Sequence, residues 1–167
     1  IVKAGIIGMI LFLPSGLGCA GWIVALGFAG AFAGALLGLV QTNPKTILAY
    51  STVSQMSLVT ALIAAASDSA NNAPTALYAV HHGLAKGGLF LAVGLAAASG
   101  GPWRGATLAA AGLVALSVAG APLTGGSVVK LAAKSGLAGP AETALSLSAI
   151  TTAMVLTWFV IRLALAE

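Results

Sequence analysis

Three lysines lie within apolar stretches of this sequence, where the surroundings do not favour an ammonium ion. Lys86 lies at the centre of a stretch from residue 73 to 98. Lys3 precedes Pro14 by eleven residues, and Lys130 follows a glycine-rich segment. Burial in an apolar medium favours the neutral amine, and a second amine nearby strengthens that preference. A lysine held near this balance takes up and releases a proton readily, which is the chemistry of a proton relay.

The residues before Lys86 extend this chemistry along one helix face. His82 and Lys86 are spaced i, i+4, and Tyr78 lies one turn before them, so the three side chains share a face. His81 points about 100° away, toward another helix or toward lipid, and a role as a hydrogen-bonded packing residue is equally open for it. No third His, Cys or carboxylate accompanies the two histidines in the apolar stretches, so no metal site is predicted.

Further polar side chains follow in the stretch from residue 45 to 66. Ser51, Ser54 and Gln55 make one half of this stretch unusually polar. They could join neighbouring helices by hydrogen bonds, or they could order water, and the sequence leaves both roles open.

Lys134 stands one helical turn after Lys130. Like charges at i, i+4 repel each other on a helix. We therefore expect either neutralisation of one amine or extension of the Lys134 side chain toward the outer face of the membrane.

The elements that carry these residues are predicted to be membrane spans. Of the 167 residues, 59% are hydrophobic and 6% are charged, against about 25% charged in a soluble domain. Apolar runs of roughly 20 residues recur, each long enough to cross a bilayer as a helix, and they do not alternate as barrel strands do. The basic residues are scattered singly, so no nucleic-acid partner is predicted. The predicted fold class is all-α, a polytopic transmembrane helical bundle in a lipid bilayer.

Proline, glycine and polar clusters divide the chain into these spans. Residues 1–14 are predicted to end a preceding transmembrane helix. Five spans are then predicted at residues 18–40, 45–66, 73–98, 105–137 and 141–163. Because the chain starts without Met inside an apolar segment, we expect a fragment of a longer protein.

The span from residue 105 to 137 is longer than a bilayer requires, and its middle is rich in helix-breaking residues. Pro122 removes a backbone donor, and the glycines around it each cost about 1 kcal/mol relative to alanine. We predict two half-helices with a break around residues 119–127, where Thr124 is a candidate for ordering water. Non-helical backbone at membrane depth is typical of transport sites, although a re-entrant hairpin or a simple kink is the alternative.

Charged residues near the span ends predict the orientation. Lys45, Arg104 and Arg162 fall on one face when the spans alternate, whereas Asp68 and Glu142 fall on the other. Lysine and arginine near span ends favour the cytoplasm. We therefore expect the first face, and with it the C-terminus, to be cytoplasmic.

The sequence resembles a known family: the antiporter-like, proton-translocating subunits of respiratory complex I (NADH-quinone oxidoreductase), multisubunit Na+/H+ antiporters and membrane-bound hydrogenases. Residues 41–56, QTNPKTILAYSTVSQM, resemble the family's Q-T-D-x-K-R-x-L-A-Y-S-S-x-S-Q/H-M. Residues 82–86, HGLAK, resemble its H-x-x-x-K. Residues 122–130, PLTGGSVVK, are similar to its broken helix, and Lys3 before Pro14 is similar to a lysine that ends its preceding half-channel.

This resemblance implies an architecture and a proton route. Residues 18–163 would form the second of two inverted five-helix repeats, and the first repeat would precede this sequence. Lys3 would link the two halves, His82 and Lys86 would form the central relay, and Lys130 would exchange protons with one side of the membrane. The resemblance also implies other membrane subunits as partners and the inner membrane of a prokaryotic cell as the location.

Three positions depart from the family's pattern. Asn43 stands in place of Asp, Gln55 stands where some members have His, and Lys134 is not part of the pattern. Glutamine orders water but does not carry a proton. These departures leave open whether H+ alone or also Na+ is transported.

Three functions are compatible with these observations. The first is a proton-translocating transport subunit of a redox-driven complex; one Cys and no G-x-G-x-x-G motif between strand and helix predict no cofactor in this chain. The second is a Na+/H+ antiporter subunit without redox coupling, although basic mid-span groups favour protons over Na+. The third is a structural membrane subunit that conducts nothing.

Overall fold

A computed structural model describes residues 2–12, 20–65, 73–98, 100–135, 137 and 139–166. All regular structure in these residues is α-helical. The helices are α1 Val2–Phe12, α2 Ala20–Val40, α3 Pro44–Ala65, α4 Ala73–Ala98, α5 Pro102–Ala119, α6 Gly125–Lys134 and α7 Pro140–Leu165. The predicted chain breaks at Pro14 and at residues 68–72 lie outside the described residues.

Four helices in the described part of the chain, α2, α3, α4 and α7, are long and apolar enough to cross a membrane. Their outward surfaces carry large apolar side chains, such as Leu26, Leu84 and Ile150, which suit contact with lipid tails. The predicted fold class, a polytopic helical bundle, is confirmed.

Helix α3 lies at the centre of the bundle, where it contacts α1, α2, α4 and α7. Helix α5 packs between α4 and α7, and α6 packs on α4. One part of the core is formed by fully buried side chains of α3, α4 and α7: Ile47, Leu48, Leu89, Val155, Leu156 and Phe159. Several polar residues of α3 and α4 are also buried in this interior: Ser51, Ser54, Gln55, Thr75, His82 and Lys86.

Glycines of α2 allow this helix to approach α3 closely. A Cβ atom at Gly27 would lie 2.7 Å from the Cβ of Ala61 and 2.8 Å from the carbonyl oxygen of Ser57. A Cβ atom at Gly34 would lie 2.8 Å from the backbone nitrogen of Ser54. Small residues at such positions let backbones pack together in membranes, where no hydrophobic effect drives helix association.

Helices α5 and α6 are separated by a non-helical segment at residues 120–124, within the range where the sequence predicts a break. Gly120 ends α5 in the left-handed conformation (φ 87°), and its N–H donates to the carbonyls of Leu116 and Ser117. Leu123 also has a positive φ of 66°, which is uncommon for a residue with a side chain. The break is thus an ordered capped turn between two half-helices.

Charged side chains separate between the two ends of the bundle. Arg104 donates to the carbonyls of Ala164 and Ala166, so the start of α5 and the end of α7 meet at one end. Lys134 forms an ion pair with Glu142 at 3.2 Å, at the end where α6 stops and α7 starts. The Lys134 amine therefore has a carboxylate partner on the first turn of α7.

Substitution of Gly27 by alanine tests the close packing of α2 on α3. The added Cβ would overlap atoms of Ala61 and Ser57, and overpacking of this kind typically costs about 1 to 3 kcal/mol. We expect a lower midpoint of thermal unfolding in detergent, measured by tryptophan fluorescence. The matched control is Gly21→Ala in the same helix, because a Cβ there meets no atom within 4 Å. Equal midpoints for the two variants would contradict the packing described.

Candidate functional site

The Lys86 amine is buried near the middle of α4, with 5% of the residue exposed. Its Nζ donates to the Ser51 hydroxyl and to the Leu48 carbonyl of α3, the latter at 3.2 Å. Among the residues that the structure describes, Lys86 has no carboxylate partner. The amine is therefore solvated by neutral oxygen atoms of the neighbouring helix.

The buried stripe on α4 matches the spacing seen in the sequence. Tyr78, His82 and Lys86 are all nearly inaccessible, with 3%, 2% and 5% exposure. A helix brings side chains at i and i+4 to one face, and this face of α4 packs on α3. The three titratable side chains therefore follow one another along the interior over two helical turns.

Gln55 of α3 connects this stripe to α7. The Tyr78 hydroxyl donates to the Gln55 side-chain oxygen. The Gln55 amide nitrogen donates to the Thr152 hydroxyl at 2.6 Å, and this hydroxyl lies 2.6 Å from the Ser148 carbonyl. A buried hydrogen-bonded chain thus crosses from α4 through α3 to α7.

His81 faces away from the stripe and contacts the broken helix. Its Nε2 lies 3.1 Å from the Ser117 hydroxyl on α5. A Cβ at Gly126 would lie 3.3 Å from the His81 ring, so the imidazole also covers the start of α6. The sequence predicts that His81 points either toward another helix or toward lipid. The structure shows the first of these, because the ring contacts α5 and the start of α6 on the two sides of the break.

Lys130 lies on the other side of the break. Its Nζ donates to the Ala119 carbonyl at 2.8 Å, at the C-terminal end of α5, where the helix dipole favours a cation. Its side-chain carbons pack against Gly120, where a Cβ would lie 2.9 Å from Cδ.

A cavity of about 300 Å3 adjoins Lys130. Its lining combines polar and apolar residues: Gly120, Ser127, Lys130, Leu131, Lys134, Leu145, Ser146 and Ala149. Because Lys134 also pairs with Glu142 at the end of the bundle, this cavity extends from the break toward that end.

Two of the other predicted residues, Ser54 and Thr124, have structural hydrogen bonds. The Ser54 hydroxyl donates to the Ala31 carbonyl at 2.6 Å, so it joins α3 to α2. The Thr124 hydroxyl donates to the Ala121 carbonyl at 2.7 Å and closes the turn of the break. Lys3 lies in α1, and its side chain is outside the described part of the structure.

Three polar residues of the site were not singled out from the sequence: Ser117, Ser148 and Thr152. Ser148 and Thr152 are buried at 3% exposure each, and their i, i+4 spacing in an apolar span is a signal that could have identified them. Ser117 carries no such signal, because its importance comes from contact with His81 on another helix.

The fold and the site together define a class of membrane protein. Titratable side chains buried in spans around a broken helix are typical of proteins that move ions or protons. No group of three or more His, Cys, Asp or Glu that could hold a metal ion is found within the described residues.

Comparison with known sequences identifies the family. The family described as "NADH:quinone oxidoreductase/Mrp antiporter, TM" matches residues 1–157, and the chain belongs to this family. A relative from Rhizobium meliloti (strain 1021), named as a probable K(+)/H(+) antiporter subunit, is 35% identical over 97 residues. The aligned region is 56% of this chain and 10% of that relative. No solved structure matches the chain significantly.

The Gln55 connection can be tested by a double-mutant cycle. Gln55→Leu leaves the buried Tyr78 hydroxyl without its acceptor, which typically costs about 1 to 3 kcal/mol. Adding Tyr78→Phe removes the unsatisfied hydroxyl, so we expect the double variant to lose less stability than the sum of the single variants. The measurement is reversible unfolding in mixed detergent. Additive losses would show that the two side chains do not interact.

Proposed function

We propose that this chain is a proton-translocating subunit of a multisubunit membrane complex. The observation that carries the proposal is the environment of Lys86, a buried amine held by the Ser51 hydroxyl and the Leu48 carbonyl. Charge at such depth is expensive, and proteins retain it mainly for transport or proton transfer. With hydroxyl and carbonyl partners, the amine can lose its proton without leaving an unpaired carboxylate behind.

The proposed route has a central part and an exit. The central part is the α4 stripe of Tyr78, His82 and Lys86. His81 and Ser117 bridge from α4 to the break, where Lys130 receives the proton. The support for this order is contact: the His81 ring covers the start of α6, and Lys130 caps the end of α5 on the same break. Water between the groups would complete the transfers.

The cavity beside Lys130 suits an exit to one side of the membrane. Its volume of about 300 Å3 is sufficient for several water molecules, and Ser127 and Ser146 provide polar contacts. Lys134 and Glu142 lie farther along the same end. On this proposal, Lys130 exchanges protons with water in the cavity.

The remaining parts of the route lie beyond the described contacts. We propose that Lys3 links the route to a preceding repeat, that residues 18–163 form the second of two inverted repeats, and that other membrane subunits complete the complex. We further propose the inner membrane of a prokaryotic cell as the location, with the end that carries Lys45 and Arg104 in the cytoplasm.

The source of energy has two candidates. A redox-driven partner, as in complex I or a membrane-bound hydrogenase, is the first candidate, and it comes from the sequence resemblance. The name of the Rhizobium meliloti relative, which describes a K(+)/H(+) antiporter, favours the second, exchange of protons for a monovalent cation. The basic residues of the site support proton movement in either case.

Replacement of Lys86 or Lys130 by methionine tests the proton route. In the full-length protein within its complete complex, we expect each variant to lower proton uptake into inverted vesicles by at least about a hundredfold, the contribution of a positioned proton-transfer group. A pH-sensitive dye reports the uptake. Leu84→Met, an exposed position on α4, is the matched control. Normal uptake by a fully formed Lys86→Met complex would show that the chain has only a structural role.

Ion dependence separates the two energy sources. If the chain acts in an antiporter, an imposed Na+ or K+ gradient drives proton movement in vesicles that receive no electron donor. If it acts in a redox-driven complex, an electron donor drives proton movement and the cation gradient does not. Both signals should disappear in Lys130→Met, and a cation-driven signal that survives this substitution would contradict the route.

A further inference from the structure

We propose that the end of the bundle that carries Lys45, Arg104 and Arg162 binds an anionic phospholipid. The phosphate headgroup would lie among the three cationic side chains. One acyl chain would enter the cleft between the ends of α4 and α7. This site is separate from the proton route, and the inference does not depend on the proposed function.

The cleft combines a polar part with an apolar part, which matches the headgroup and the acyl chain of a phospholipid. It has a volume of about 180 Å3. Its polar side chains are those of Asn43 and the exposed Lys45. Its walls are apolar and come from Val93, Ala96, Ala97, Leu163 and Ala166. A ligand that fills it must have an anionic or polar end and a hydrocarbon end.

Two arginines border the same cleft. Arg104 donates from Nη2 to the Ala166 carbonyl, and Ala166 is part of the cleft lining. Arg162 donates from Nε to the Thr42 carbonyl at 2.9 Å, next to Asn43 of the cleft. Each guanidinium has five N–H donors, so both retain donors for a phosphate after these bonds are made.

The charge of this end is not balanced by carboxylates in the described part of the chain. Glu142 is the acidic residue of that part, and it pairs with Lys134 at the opposite end. The partners observed for Arg104 and Arg162 are neutral backbone carbonyls, which orient a guanidinium without neutralising it. Three positive charges bordering one cleft therefore favour an anionic ligand. Glu167 follows Ala166 and lies outside the described residues.

The position in the bundle favours a lipid over a soluble anion. The cleft lies where spanning helices end, and Trp103 beside Arg104 is 76% exposed, as tryptophans at the headgroup level are. Trp158 donates to the Gln41 carbonyl at 2.8 Å and stacks under Arg162, which holds this guanidinium near the same level. Basic pockets between helices at this level bind anionic headgroups.

The test compares lipids on the complete complex purified in detergent. We expect added phosphatidylglycerol, but not phosphatidylcholine, to raise the unfolding temperature and to stay bound in native mass spectrometry. Lys45→Gln should weaken phosphatidylglycerol binding about fivefold, because each basic residue near an anionic surface contributes about 1 kcal/mol. Lys45→Arg should bind normally. Lys45 has an exposed side chain, so its replacement should not prevent folding.

Two further variants distinguish a lipid from a free anion. Ala97→Leu fills the cleft and leaves the cations in place, so it should weaken binding of phosphatidylglycerol. Lys134→Gln, at the opposite end, and Glu167→Gln should not weaken it. The proposal is overturned if inorganic phosphate stabilises the protein as well as phosphatidylglycerol does, if both lipids bind equally, or if Lys45→Gln binds normally.

Discussion

The structure depends on how one amine is solvated in the absence of bulk water. Lys86 obtains its oxygen contacts from α3, and this requires α3 and α4 to pack with their polar faces together. The free energy of leaving an ammonium group unsolvated in a membrane exceeds that of an ordinary buried hydrogen bond. The hydroxyl-bearing face of α3 and the buried face of α4 therefore form one structural unit, because the Lys86 amine keeps its oxygen contacts only while the two faces stay packed together.

The rest of the bundle surrounds this unit. The glycines of α2 let its backbone approach α3 from one side, and α7 closes the other side with Thr152 and a row of large apolar residues. The break between α5 and α6 serves a related purpose, because it exposes helix-end carbonyls at depth where Lys130 can reach them. The amine of Lys86 is thus solvated by a polar helix face, and the amine of Lys130 is solvated by a helix end.

Much of this arrangement follows from local patterns in the sequence. Apolar runs predict the spans, Pro122 and its neighbouring glycines predict the break, and i, i+4 spacing predicts the shared face of His82 and Lys86. Contacts between helices are not encoded in such patterns. The sequence leaves both directions open for His81, and it does not reveal Ser117, since their meeting depends on how α5 lies against α4.

The turn between α5 and α6 also limits how this protein can evolve. A Cβ at Gly126 would overlap the Ser117 carbonyl oxygen, and Gly120 has a φ of 87°, a backbone conformation that residues with side chains rarely adopt. Substitution of Gly126 therefore requires the two half-helices to move apart, whereas substitution of Gly120 strains the backbone of the turn. Val128, exposed only two residues away, carries no such restriction. Among descendants of this sequence, variation should therefore gather on the outward side of α6, while its inward side keeps its glycine.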